Sequence, residues 1–295
     1  MLTYLFGLIS AFCFGISNVY WKTAVKSSSF SNIVFFRGII ATVCFAITWF
    51  ILSNFNNNTS LTINAGATFF QYIKTVLLCL VCSLGLVFYL MSLKYSPVSI
   101  SVPLSSINIF SILTAVFILG ETFKAIYFIS FVVAFCGILL SQSFKFDKKG
   151  IQWNKGASYA LLASLFWGTT YALFKISASW LGAIPLAFIL ECCVTITALI
   201  WMLLSKSGAT TKNGQLSTKN IKHYFILAAL LVGGTLFFNL AIQQIPVLVI
   251  NILGNFTLVV SIVAGILFYK EKLSAKQIAG VSLIIISILI VQYLK

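Results

Sequence analysis

The chain has 295 residues, of which 60% are apolar and only 8% charged, with 19 lysines and arginines against 4 acids and a formal net charge of +15. A soluble globular chain carries about 25% charge, so this composition excludes one. It also excludes the nucleic-acid binder that so basic a soluble chain would suggest; the lysines read instead as loop charges that orient a membrane protein.

An α-helix needs about 20 apolar residues to cross the hydrocarbon core. Ten continuous stretches reach that length, at 2–21, 31–53, 70–92, 97–119, 124–143, 155–176, 182–204, 223–243, 246–269 and 274–294. Barrel strands would alternate apolar and polar residues, and these runs do not. The expected fold is an all-α polytopic membrane protein of ten transmembrane helices.

Span one has no basic leader and no small-residue cleavage pattern before Trp21-Lys22, so it reads as a true span and not a signal peptide. It carries Phe14-Gly15, Ser10, Ser17, Asn18 and Tyr20. Span two holds Phe36-Arg37, and the loop after it, 54–69, is uncharged; its Asn57-Asn58-Thr59 is a weak glycosylation pattern. In span three Cys79 and Cys82 have metal-ligand spacing, but on one apolar helix with no second pair they read as packing. Ser83-Leu84-Gly85 lets backbones approach closely, and Tyr89 follows. Span four gathers Ser101, Pro103, Ser105, Ser106 and Asn108, with Pro103 placed to kink it, and closes at Gly120-Glu121. A short polar linker, Lys145 to Gly150, precedes span six, where Trp167-Gly168, Thr169, Thr170, Tyr171 and Lys175 lie.

Span seven contains Glu191, the one acid of four in mid-span. A charge there costs about 2.5–3.5 kcal/mol on insertion scales, so the carboxylate calls for a reason. It is either a proton-accepting or substrate-amine-binding group facing a cavity, or the counter-ion of a nearby base; the two are compatible. Span eight has Gly233-Gly234, then Asn239 and Gln243 one turn apart; span nine has Asn251 and Asn255 at the same spacing, on one helix face. Such groups should face protein or a water-filled cavity. All seven cysteines lie inside spans, and no disulfide is implied.

The chain repeats itself after about 150 residues. Phe14-Gly15 and Lys22 return as Trp167-Gly168 and Lys175, Gly85 and Pro97-Val98 as Gly234 and Pro246-Val247, Gly120-Glu121 as Lys270-Glu271. The division falls into 1–144 and 150–295, five spans each. An odd-helix unit repeated in one membrane must be inverted relative to its twin, the mark of a secondary transporter. Aligning Lys22 with Lys175 sets Arg37 one position short of Glu191, so span two of each half carries one ionisable group at nearly one depth. Fifteen of the 19 basic residues lie toward the face reached by loops 1–2, 3–4, 5–6, 7–8 and 9–10. The positive-inside rule puts that face in the cytoplasm and both termini outside.

The run Ser92-Leu93-Lys94-Tyr95-Ser96-Pro97-Val98, then Pro103, Leu119-Gly120-Glu121 and Gly137-Ile138-Leu139, resembles the repeat of the EamA family of the drug/metabolite transporter superfamily. The second half repeats it with Ala241-Ile242, Pro246, Glu271, Gly280 and Leu283-Ile284, so the resemblance covers essentially the whole chain. It implies two inverted five-helix repeats, a central cavity lined by spans one, three, four, six, eight and nine, and alternating access for small metabolites, often amino-acid export. This chain departs from the pattern at Glu191, near where the first half has arginine, and at Asn251 and Asn255, which stand where small residues would.

The reading is therefore a secondary active transporter in a bacterial cytoplasmic membrane that exports a small metabolite, an amino acid or a related compound. Candidate substrate-binding or coupling residues are Glu191, Asn18, Tyr89, Ser106, Asn108, Tyr171, Asn239, Asn251 and Asn255, with Arg37, Lys22 and Lys175 as charge partners. Glu191 is the candidate for proton coupling. No cofactor, metal, nucleotide or nucleic acid is expected, and no oligomeric state is set. The alternative is an intramembrane enzyme or lipid-handling protein, which would want paired carboxylates, a histidine cluster or a nucleophile with its base. Here the one histidine, His223, sits at a span boundary.

Overall fold

The computed structural model describes residues 2–27, 30–55, 67–95, 101, 104–105, 108–141, 155–204, 218–269 and 274–293. Pro103, Ser106, the Pro97-Val98 pair, Glu271 and most loop lysines lie outside the described residues, as does the side chain of Lys22. Among the described residues there is no strand. The helices are α1 (Leu2–Ser27), α2 (Phe30–Phe55), α3 (Phe69–Tyr95), α4 (Ile109–Phe117), α5 (Ala125–Ser141), α6 (Lys155–Leu181), α7 (Ala183–Leu204), α8 (Thr218–Ile242), α9 (Val247–Gly254), α10 (Phe256–Tyr269) and α11 (Ala275–Tyr293). They match the ten expected spans, with α9 and α10 together forming the ninth.

Two features suit these helices to lipid. Large apolar side chains stand outward along them, among them Phe50, Leu77, Phe128, Leu203 and Leu267; in water such a surface would be a liability. Many hydroxyls inside the spans bond back to their own helix, as with Thr170 to the Phe166 carbonyl, Thr114 to Phe110, Ser130 to Ile126 and Thr195 to Glu191. Hydrocarbon offers polar groups no partners, so self-satisfaction is what makes them tolerable there. By length and apolarity alone, five helices qualify as spans: Asn32–Asn54, Phe69–Ser92, Ala183–Leu204, Lys222–Ile242 and Val247–Phe268. The protein is a multi-pass integral membrane protein.

The chain forms two compact units, Met1–Ser83 with Phe174–Gln244 and Leu84–Leu173 with Ile245–Lys295. Each draws on both sequence repeats, and α3 and α6 each give one half to either unit.

In the first unit α1 packs on α8 and α2 on α7 and α8. Phe45, Ile184 and Ala187 form one buried cluster, flanked by Trp49, Phe188, Val232 and Leu236. Ile33, Tyr224 and Leu227 form a second. Hydroxyl pairs join α3 to α6 and α7, Thr75 to Ser177 at 3.2 Å and Ser83 to Thr197 at 2.7 Å. The turn between α6 and α7 is made at Gly182, with φ of 89°.

In the second unit α5 packs on α11 so closely that a methyl on Gly137 would lie 2.7 Å from the Gly280 carbonyl. The second half of α3 meets the first half of α6 through rings: Tyr95 and Phe88 on Tyr159, Phe88 on Phe166, and Tyr89 on Trp167.

The doubled sequence motifs turn out to touch one another, once in each unit. In the first, the Phe14 ring lies on Gly234, where an added Cβ would be 2.7 Å from Phe14 Cε1. In the second, Trp167 lies on Gly85, where an added Cβ would be 2.5 Å from Trp167 Cδ1. Phe14 corresponds to Trp167 and Gly234 to Gly85, so the repeat carries one contact twice: a ring from the first span of one half seated on a glycine from the third span of the other.

Candidate functional site

In the first unit, the side chains of Arg37 on α2 and Glu191 on α7 meet directly, Nη1 to Oε2 at 2.6 Å. Both are buried, at 6% and 4% side-chain exposure, which leaves the carboxylate little contact with anything but protein. Arg37 Nε has no hydrogen-bond partner. Arg37 and Glu191 are 154 positions apart, and α2 packing on α7 is what brings them together.

Asn239 on α8 and Gln243 in the turn just past its end reach across to the end of α6 and the start of α7. Asn239 Nδ2 donates to the Ala183 carbonyl at 3.1 Å, and Gln243 Nε2 to the Ala178 carbonyl at 2.8 Å. Those carbonyls flank the turn at Gly182, whose own N–H also donates to the Ala178 carbonyl at 2.9 Å. Asn239 is fully buried and its Oδ1 has no partner. Asn18 on α1 and Lys175 on α6 are half-buried.

The second unit holds an amide cluster at the start of α4 and at an interruption of span nine. α4 begins at Ile109 with Asn108 as its N-cap; the Asn108 side chain makes no capping bond. Instead Asn108 Nδ2 donates to the Asn251 carbonyl at 3.2 Å and to Asn255 Oδ1 at 3.3 Å. Asn251 Nδ2 donates to Ser111 Oγ at 2.9 Å. Span nine, expected to be continuous over 246–269, stops at Gly254 and restarts at Phe256. At the interruption the Asn255 N–H donates to the Ile252 carbonyl, a tightened turn, while its side chain answers Asn108. A methyl on Gly254 would meet no atom within 4 Å, so open space adjoins the break.

Aromatic rings adjoin this cluster. Gly168 packs on the start of α4, its added Cβ 3.0 Å from both Phe110 Cβ and Ser111 N. Its neighbour Trp167 stacks on Tyr171 with centroids 6.4 Å apart and meets Tyr89 at 5.2 Å. Of the residues singled out from sequence, Asn108, Asn251 and Asn255 are thus joined in one network and Tyr89 and Tyr171 by Trp167. Glu191 and Arg37 form a pair of their own.

Two participants escaped the sequence reading. Ser111 is an ordinary serine whose spacing of three from Asn108 is the only hint of a shared helix face. Glu121 stands in the sequence as the mark of a span's end and as part of the repeated pattern, with no partner assigned to it. Its carboxylate accepts the N–H groups of Val247 at 2.8 Å and Leu248 at 3.2 Å, the first turn of α9. Pro246, the N-cap, offers that turn no side-chain acceptor. Among the described residues, no three His, Cys, Asp or Glu side chains gather as they would around a metal ion.

Against known proteins, a family model described as the EamA-like transporter family matches the chain twice, over residues 1–142 and 154–293. An uncharacterized transporter of Archaeoglobus fulgidus is 27% identical over 296 residues, covering 98% of each chain. A crystal structure 13% identical in sequence aligns over 99% of this chain and 96% of its own with a TM-score of 0.74, a likeness of fold.

Proposed function

Because this chain belongs to the EamA-like transporter family, we propose that it is a secondary active transporter that exports a small polar or amphipathic metabolite, an amino acid or a related compound, from a bacterial cytoplasm by alternating access. The observation that most supports this reading is the amide network at the start of α4 and at the interruption of span nine in the second unit. A helix broken inside a membrane leaves backbone groups and side-chain amides facing a cavity, and transporters place their substrates at such breaks. Asn108, Asn251 and Asn255 are the groups we assign to the substrate's polar end, with Ser106 beside them in sequence. Tyr89, Trp167 and Tyr171 are assigned to its apolar part.

Glu191 takes a different role in this reading. Its carboxylate is already in contact with Arg37, and a substrate amine could claim it only by uncovering a buried guanidinium. We therefore assign the pair to holding α2 against α7. If protons drive export, uptake of one at Glu191 must coincide with the opening of that contact.

Reconstitution tests the function. Purified protein in liposomes loaded with single labelled amino acids should give saturable efflux for at least one of them, slowed by roughly tenfold in Asn251→Ala and Asn255→Ala, a loss equivalent to 1.4 kcal/mol of binding. Efflux no faster than from empty liposomes, across amino acids and related metabolites, would rule the proposal out.

A further inference from the structure

We propose that Glu121 is a positioning residue of the transport site, a latch that fixes where the half-helix α9 sits and with it the amides of Asn251 and Asn255; this rests on the reading of those amides as the substrate site. α9 has eight residues, bounded by Pro246 and by the break at Asn255. Its first N–H groups lack intrahelical partners, and the tightened turn at Asn255 sets it off from α10.

Those partners, and further ties along the segment, come from residues 108 to 121, which run along α4 and the turn beyond it. At the N-terminal end, Glu121 Oε1 and Oε2 each accept one backbone N–H, from Val247 and Leu248. Pro246 has no side-chain oxygen to do this, so a carboxylate from elsewhere takes the N-cap's place, and its charge suits the positive end of the helix. One turn along, Asn251 is tied to Ser111, and at the far end Asn108 holds the Asn251 carbonyl and Asn255.

The latch is itself held. Gly120 takes φ of 68°, which a side chain would resist, and the Glu121 N–H donates to the Ala115 carbonyl at 3.0 Å. That turn folds the end of α4 back and delivers the carboxylate to α9. A helical segment freed at one end while pinned at the other would move Asn251 and Asn255 together. Glu121 thereby governs the geometry of the amides without belonging to them.

The test uses the full-length protein in nanodiscs and follows amide hydrogen exchange, with Glu121→Gln and Gly120→Ala as independent variants. The first removes the charge; the second leaves the carboxylate intact but strains the turn that aims it. Both should speed exchange at Val247 and Leu248 by about fivefold, leave α5 and α11 unchanged, and raise the concentration for half-maximal amino-acid efflux more than they lower its maximum rate. Glu121→Asp, a shorter carboxylate, should restore part of the loss. Unchanged exchange at Val247 and Leu248, or an equal rise across α5 and α11, would overturn the latch. If Asn251→Ala and Asn255→Ala leave the efflux of every transported amino acid as it was, the site reading falls and the positioning role with it, whatever the exchange shows.

Discussion

The contact between Arg37 and Glu191 carries a net charge of zero into a place where either ion alone would be expensive. Taking both out of water costs several kcal/mol per ion, recovered only through their mutual attraction and remaining hydrogen bonds. Arg37 Nε, unpartnered, shows that the recovery is incomplete. It follows that the pair is fragile toward loss of one member and tolerant of loss of both. Glu191→Leu should destabilise the protein by about 3–5 kcal/mol, because it strands a buried guanidinium. Arg37→Leu combined with Glu191→Leu should recover most of that, since α2 and α7 would then meet through apolar side chains. Thermal unfolding of the purified variants in detergent measures both. A single variant as stable as the parent would mean that water or lipid headgroups reach Arg37. Alignment of the two halves placed Arg37 and Glu191 at nearly one depth, but nothing in the sequence says that α2 packs on α7, so their pairing was visible only as one of two open readings.

The ring-on-glycine contact shows what the repeat is made of. Phe14 with Gly15, and Gly234 on its own, look like separate motifs in sequence; in space Phe14 and Gly234 are two halves of one joint, and Trp167 with Gly85 is the same joint again. Such a joint needs a residue without a Cβ because the ring occupies the place where that carbon would stand. Gly234→Ala and Gly85→Ala should each cost about 1–3 kcal/mol by forcing the ring off its seat. Pairing Gly234→Ala with Phe14→Leu should relieve part of the cost, and a double-variant cycle on unfolding free energy reads the coupling. Additive effects would show that each glycine matters for some reason other than the ring. The helices themselves were legible because lipid demands long apolar runs. The break at Asn255 was not, because its side chain answers Asn108, 147 positions away, and a lone glycine such as Gly254 inside an apolar run is too weak a signal to announce it. Asn239, read as a cavity group, donates its amide to the Ala183 carbonyl beside the turn at Gly182, a partner that no local pattern in the sequence announces.

Each half having five spans, both termini must lie on one side of the membrane and the linker between halves on the other. Which side is which depends on charge. The loop over 54–69 carries no charge, while its counterpart over 205–222 carries Lys206, Lys212, Lys219 and Lys222. An inverted pair of repeats produces such asymmetry: equivalent loops face opposite compartments, and lysine is retained in the cytoplasmic one. With fifteen of the 19 basic residues toward the loop 1–2 face, that face should be cytoplasmic and Lys295 should lie outside. A phosphatase fused after Lys295, active only beyond the cytoplasm, should therefore be active, and a fluorescent protein that matures only inside should stay dark there. The same two reporters inserted after Lys212 should give the opposite pair of results. Replacing Lys206, Lys212, Lys219 and Lys222 together by Gln should then produce a mixed population at Lys295, because the second half loses its strongest retention signal while the first keeps Lys22, Lys26 and Arg37. A cytoplasmic signal at Lys295 in the unaltered chain would reverse the orientation and make the lysine-rich face the outer one.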